Sequence, residues 1–144
     1  MSRFFRLFAL LIFVAACTGA PEEIVEKQYD NGNPMIVGFF EGKGDSREKV
    51  HEIQFYENGN KKSEGDLKKN KKQGTWKSWH ESGQLWSECP FDTGLSDGRI
   101  IVYYPDGKKR YVGFFSKGIP SGKWTYWDAS GNVLSEKDYG LKPE

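Results

Sequence analysis

Gly122-Lys123-Trp124-Thr125-Tyr126-Trp127-Asp128-Ala129-Ser130-Gly131-Asn132 decides how this chain is read. It is a run of aromatics that ends in a glycine turn. Strand alternation sets Trp124 and Tyr126 on one face and Thr125 and Trp127 on the other. The chain makes this statement more than once. Gly98-Arg99-Ile100-Ile101-Val102-Tyr103-Tyr104-Pro105-Asp106-Gly107 is a second copy, and Gly74-Thr75-Trp76-Lys77-Ser78-Trp79-His80-Glu81-Ser82-Gly83 a third. In each copy the two glycines stand nine apart.

The turn glycines continue beyond these three. Gly32, Gly59, Gly83, Gly107 and Gly131 are spaced by 27 and then by 24 three times. Asn-Gly and Asp-Gly between strand-like runs are strong hairpin signals, because these residues tolerate positive φ. Four residues before the glycine stand Phe55, Trp79, Tyr103 and Trp127, a column that Gln28 breaks in the first copy. Six residues after it stand Gly38, Gly65, Cys89 and Gly113, and then Lys137. Eight after it stand Phe40, Leu67, Phe91, Phe115 and Tyr139, all apolar.

One hairpin per repeat satisfies these columns. An isolated hairpin is marginal in water, so the copies must pair edge to edge. The expected fold is all-β: an antiparallel meander of about five hairpins forming one elongated, twisted sheet. Aromatics on both strand faces predict rings that stack between neighbouring strands. Trp127, in a column aromatic in four copies of five, is expected in the sheet core. The connecting segments differ. Lys68-Lys69-Asn70-Lys71-Lys72 is basic, and Gly118-Ile119-Pro120-Ser121-Gly122 reads as a tight neutral loop. Gly42 to Glu48 holds the extra residues of the first interval.

The N-terminus reads as a targeting segment. Arg3 and Arg6 precede the apolar run Leu7 to Ala16, which is too short for a bilayer core of about 30 Å but suits a signal peptide. Val14-Ala15-Ala16-Cys17 looks like a bacterial lipobox, in which Cys17 is acylated and becomes the first mature residue. The expected layout is a signal peptide over 1–16, a tether from acylated Cys17 over 17–24, a repeat domain over 25–141 and a tail over 142–144. Multiple acyl chains, palmitate-type, would anchor the chain stably in the envelope membrane. Cys89, the other cysteine, is expected to be a small side chain in a tight place.

With 21 basic and 20 acidic residues, the chain shows no charge excess that would attract nucleic acid. The two histidines, His51 and His80, have no partners at ligand spacing, so neither a metal nor a cofactor is expected. His80 reads as a surface residue. No nucleophile or paired-carboxylate signature occurs, and the recurring glycines mark turns rather than a phosphate loop. The expected chain is therefore not an enzyme.

Lys61-Lys62-Ser63-Glu64-Gly65-Asp66-Leu67, followed by Gly74-Thr75-Trp76-Lys77-Ser78-Trp79, resembles the MORN-repeat variant. Lys108 to Phe115, followed by Gly118 and Gly122-Lys123-Trp124, resembles it too. The likeness extends over residues 29 to 140, with departures at Val50, Cys89 and the degenerate first copy. Chains of this kind are often named toxin–antitoxin system YwqK family antitoxins. The resemblance implies a repeat sheet that acts as a protein-interaction module, antitoxin- or immunity-like. The residues leave two binding surfaces open. Trp76 and Trp124 are candidate partner anchors or else core. Lys68, Lys69, Lys71 and Lys72 are candidates for anionic lipid headgroups or else a solvated loop. Cell-wall glycan on the aromatic face is the alternative ligand.

Overall fold

The computed structural model describes residues 19–140. Eleven strands in this range form one antiparallel sheet. They are β1 (Glu22–Gln28), β2 (Pro34–Glu41), β3 (Glu48–Phe55), β4 (Lys61–Lys68), β5 (Lys71–Trp79), β6 (Leu85–Asp92), β7 (Leu95–Ser96), β8 (Gly98–Tyr103), β9 (Lys109–Ser116), β10 (Ile119–Trp127) and β11 (Val133–Asp138). Neighbours in sequence are neighbours in space, except that β8 pairs with β6 while the two-residue β7 pairs with the end of β6. The fold is the expected open meander of five hairpins. Among the described residues no element packs on either face.

Each of the five turn glycines has a φ between +83° and +95°. A side chain with a Cβ resists this region, which explains why glycine recurs there. Each turn is closed the same way: Gly59 N–H donates to Tyr56 O and Tyr56 N–H to Asn60 O, with equivalent pairs in the other four. The opposite rim is built from two-residue turns with positive φ at both central residues. These are Lys69-Asn70, Thr93-Gly94 and Lys117-Gly118, the geometry whose twist matches paired strands. The supposed loop from Gly118 to Gly122 is therefore mostly strand. Only Lys117 and Gly118 turn, and β10 begins at Ile119. The longer first connection holds a 3-10 turn at Gly44–Ser46.

The repeat domain starts earlier than its composition indicates. β1 begins at Glu22, inside the expected tether, because Glu22 and Glu23 pair with Phe40 and Phe39 on β2. Cys17, the expected signal peptide and the expected tail lie outside the described residues.

A single layer buries little, and the core is correspondingly thin: Val37, Trp76, Val102, Val112 and Trp124. What buries the indoles is a glycine on the neighbouring strand. A Cβ placed on Gly65 would lie 2.4 Å from Trp76 Cγ, and one on Gly113 would lie 2.1 Å from Trp124 Cδ2. Each ring therefore lies flat on the bare backbone of the preceding strand. Its Nε1–H donates to the carbonyl one residue further on, Asp66 O at 2.9 Å and Phe114 O at 3.2 Å. The bulges that open at Gly74 (φ +66°) and Gly122 (φ +59°) bring each Trp into that register.

The same row runs across the sheet with altered chemistry. Where Cys89 replaces the glycine, its neighbour in the register continued from Glu88↔Ile101 is Ile100, not Trp. At Gly38 the partner is Glu52, and the cover is an ion-pair cluster in which Lys49 Nζ bonds Glu26 at 2.6 Å and Glu52 at 2.7 Å. Small faces large in three rows, and a charged bridge fills the fourth.

Candidate functional site

The sheet sorts its side chains onto two faces. The indole face carries Trp76, Trp124 and the stacked rings around them: Tyr111 lies 5.8 Å from Trp124 and 5.7 Å from Tyr126, and Tyr139 meets Trp124 edge-on. The expected cross-strand stacking is present. Of the two readings open for these tryptophans, partner anchor or core, their burial fits the core, since they are only 4% and 7% exposed. They are core, because the glycine opposite each one lets the ring lie against the backbone.

The other face carries Phe55, Trp79, Tyr103 and Trp127. All four are half-buried, with no second layer above them. Trp127, expected in the core, is thus only partly covered. Alternation alone cannot tell which aromatic row finds a glycine opposite. Around this row stand charged side chains from neighbouring strands. Tyr103 Oη donates to Glu88 Oε2 at 3.1 Å, and Lys123 pairs with Glu136 at 2.8 Å. Burial and the bond to Glu88 push the Tyr103 hydroxyl above its ordinary pKa. Phe114, Leu95 and Ile119 stand exposed toward the rim of two-residue turns.

The four candidate lysines do not act as a unit. Lys69 and its neighbour Asn70 form the two-residue turn, and Lys68 faces Lys71 across it. These three lysines are exposed beside a shallow depression of about 340 Å³ shared with Gln73, Asp92 and Thr93. The Glu48 carboxylate accepts the Lys69 backbone N–H. Lys72 is drawn away. Its Nζ lies 4.1 Å from the centre of the Trp76 ring and 5.0 Å from that of Phe91, so it covers the indole face as a cation–π lid.

In the cluster over Gly38, burial disfavours the Lys49 ammonium, but the bonds from Glu26 and Glu52 outweigh it and hold Lys49 above its ordinary value. Burial likewise opposes the Glu52 carboxylate, yet Lys49 and Gln54 hold it below the usual range. Opposed shifts in bonded partners mark a structural bridge, here standing where other rows have an indole. Among the described residues no three His, Cys, Asp or Glu side chains converge as metal ligands.

Sequence reasoning missed a ladder that joins hairpin to hairpin along the glycine-turn rim. Tyr29 Oη donates to Phe55 O, Tyr56 Oη to Trp79 O, and Tyr104 Oη to Trp127 O, at 2.8–2.9 Å. A second set of staples reinforces it. Asn31 and Asn33 Nδ2 reach Glu57 O, Asn58 and Asn60 Nδ2 reach Glu81 O, and Lys108 Nζ reaches Ala129 O. The signal was present as the Tyr column and the Asn-Gly-Asn triplets. His80 occupies that Tyr column. It is half-buried rather than a free surface residue, and its Nε2 is out of contact with water and has no hydrogen-bond partner. Cys89 is a free, half-buried thiol 3.5 Å from Ser96 Oγ, in the tight place expected of it.

Among solved structures, two crystal structures show a distant likeness. One is a mutant of S. aureus TarM in complex with fondaparinux, alpha-GlcNAc-glycerol and UDP (15% identity, TM-score 0.36). The other is TarM itself (14% identity, TM-score 0.34). The alignments take in 84% and 82% of this chain but only 20% and 19% of those chains, so it spans about a fifth of their length. No curated protein matches the chain. Residues 50–69, 72–93 and 120–139 each match the MORN repeat variant. Those segments take in the whole of β4, β6 and β11 and most of β3, β5 and β10. Within those three segments the chain carries the MORN repeat variant.

Proposed function

We propose that the chain is a non-enzymatic lipoprotein of the bacterial envelope whose repeat sheet is a protein-interaction module, with a toxin-neutralising or immunity-type role as its sharpest form. The observation that carries the reading is the uncovered face. Phe55, Trp79, Tyr103 and Trp127 recur along it in four of the five hairpins, half-buried with no second layer above them, and exposed Phe114 stands toward the opposite rim. Periodic aromatics on a rigid layer suit a protein partner, since Trp and Tyr are favoured anchors. The envelope address rests on Val14-Ala15-Ala16-Cys17 and the apolar run before it. The antitoxin form rests on the family resemblance alone.

Photocrosslinking in the host tests the interaction. A photoreactive residue at position 79 or 127 should give one discrete protein adduct, and one at position 76 should give none. Absence of any adduct from the uncovered face, in folded protein, would defeat the proposal. For the anchor, Cys17→Ala should abolish acylation and release the chain from the membrane fraction.

One observation favours a second reading, contact with anionic lipid. The exposed Lys68, Lys69 and Lys71 stand on the rim of the sheet at which β1 begins, so an anchored N-terminus would hold that rim near the bilayer. Each Lys near such a surface contributes about 1 kcal/mol. Sedimentation with phosphatidylglycerol vesicles, lost in a Lys68/Lys69/Lys71→Gln variant, would establish it.

A further inference from the structure

The hairpin ladder has one break, between the third and fourth hairpins. At every other junction a side chain of one hairpin donates to a turn carbonyl of the next. Here the Tyr position is His80, which makes no such bond. The Asn positions are Ser82 and Gln84, which bond each other instead. The acceptors equivalent to Trp79 O and Glu81 O are Tyr103 O and Pro105 O. Among the described residues no side chain donates to either. The backbone ladder is also short at this junction, with Ser87↔Val102 and Glu88↔Ile101 as the register pairs of β6 and β8.

The break is open. A cleft of about 570 Å³ lies there, lined by Gln84, Leu85, Tyr103, Pro105, Asp106 and Gly107. Its chemistry is acceptor-rich. Two of its lining residues, Tyr103 and Pro105, carry the carbonyls to which no side chain donates, and a third supplies the Asp106 carboxylate, held below the usual range by the Lys108 backbone N–H. The Lys108 ammonium is 3.4 Å from Asp106, but its closer bond, 2.8 Å, runs away from the cleft to Ala129 O. That bond also shows what completes such a junction: at the following one, a lysine ammonium does the work of the asparagines.

We propose that the seam between the third and fourth hairpins is a docking slot for a cationic side chain, arginine or lysine, presented by a protein partner. The inserted group replaces the missing staple, donating to Tyr103 O and Pro105 O and facing Asp106. Leu85 and the Tyr103 ring flank its aliphatic stem, as apolar walls do for long cationic side chains. The slot rests on the reading of the sheet as a protein-binding module and states which chemistry on the partner is recognised.

The test is a titration of the full chain, in detergent micelles, followed by amide NMR. The probes are acetyl-Gly-Arg-Gly-amide and its citrulline counterpart, which keeps the shape and loses the charge. The arginine peptide should shift Gln84, Leu85 and the 103–107 amides saturably. The citrulline peptide should bind about tenfold more weakly, as expected when a charge-assisted bond becomes neutral. Asp106→Asn, which keeps the acceptor for Lys108, should weaken the arginine peptide several-fold. The stapled variant His80→Tyr/Ser82→Asn/Gln84→Asn should abolish the shifts while melting at or above wild type. Equal binding of both peptides, shifts elsewhere, or no shifts would overturn the slot. Cleft amides that move on dilution without peptide would also overturn it, in favour of a second copy. If the stapled variant keeps the crosslink from position 127, the slot falls and the protein-binding module stands.

Discussion

The pairing of a small residue with a large one across the indole face makes a sharp prediction at its exceptional row. Cys89 and Ile100 stand where other rows have glycine and tryptophan. Cys89→Gly alone removes a half-buried thiol and adds a strand glycine, a loss of about 2 kcal/mol in all. Ile100→Trp alone drives an indole against the Cys89 side chain, and such overpacking costs roughly 1–3 kcal/mol. If the two positions were independent, the double variant would lose about 3–5 kcal/mol. The geometry at Gly65 and Gly113 says otherwise. An indole lies flat where no Cβ stands, and Pro90 O sits one residue beyond Cys89, as Asp66 O and Phe114 O do for the native tryptophans. Cys89→Gly/Ile100→Trp should therefore be more stable than either single variant and within about 1 kcal/mol of wild type, a coupling of the size seen between touching residues. Urea unfolding of the four proteins reads this directly. Gly113→Ala supplies the scale, because its Cβ would stand 2.1 Å from Trp124 Cδ2 and expel the ring. Its loss should approach the roughly 3–5 kcal/mol of a Trp→Ala change. A double variant that loses the sum of its singles would refute the complementarity.

The remaining predictions concern the staples and the charged bridge. Tyr56→Phe or Tyr104→Phe should each lower stability by about 0.5–1.5 kcal/mol, the worth of one hydrogen bond, whereas His80→Tyr should raise the melting temperature by supplying a donor for Tyr103 O. A lowered melting temperature for folded His80→Tyr would show that Tyr103 O is not the acceptor. For the bridge over Gly38, Glu52 has a folded pKa below its ordinary 4.5. Its stabilisation is then complete above that value and lost as pH falls through the folded pKa. Lys49, raised above its ordinary 10.5, contributes below 10.5 and loses its contribution as pH rises through its own folded pKa. The difference in melting temperature between wild type and Glu52→Gln should accordingly be flat near neutrality and shrink on acidification below pH 4.5; a difference that grows there would reverse the assignment.

Much of the architecture was legible because its causes are local. A glycine with positive φ is required by a hairpin turn whatever surrounds it, so Gly32, Gly59, Gly83, Gly107 and Gly131 set out the five hairpins. Which aromatic row is buried is not a local property. Trp76 meets Gly65, eleven residues earlier, only after a bulge at Gly74 resets the register. Alternation sets Trp124 and Trp127 on opposite faces but does not say which face finds a glycine opposite; only the partner strand decides that. Cys89 in the glycine column and Ile100 in the Trp column are conspicuous singly; they explain one another once the strands are side by side. His80 misled for the same reason. The turn that follows it, Glu81-Ser82-Gly83, is polar, but the Trp86 ring stands 6.1 Å away across the hairpin.

The staples also bear on how one hairpin holds the next. In a repeat array stability is passed between nearest neighbours, so a hairpin holds the next one only as well as its donors allow. Tyr29, Tyr56 and Tyr104 each extend a donor forward. At the last hairpin that column is Asp128, whose carboxylate is consumed within its own turn by the backbone and side-chain N–H groups of Asn132, at 2.9 and 3.1 Å. It extends no donor forward, and among the described residues β11 is the outer strand, with every residue exposed. The same column thus has two interruptions of opposite meaning. Asp128 is satisfied within its own turn. His80 leaves two carbonyls without a side-chain donor in mid-sheet, where the strands on both sides are held. Carbonyls left without a side-chain donor between two held hairpins are poised for a donor from outside, whereas a carboxylate satisfied within its own turn is not.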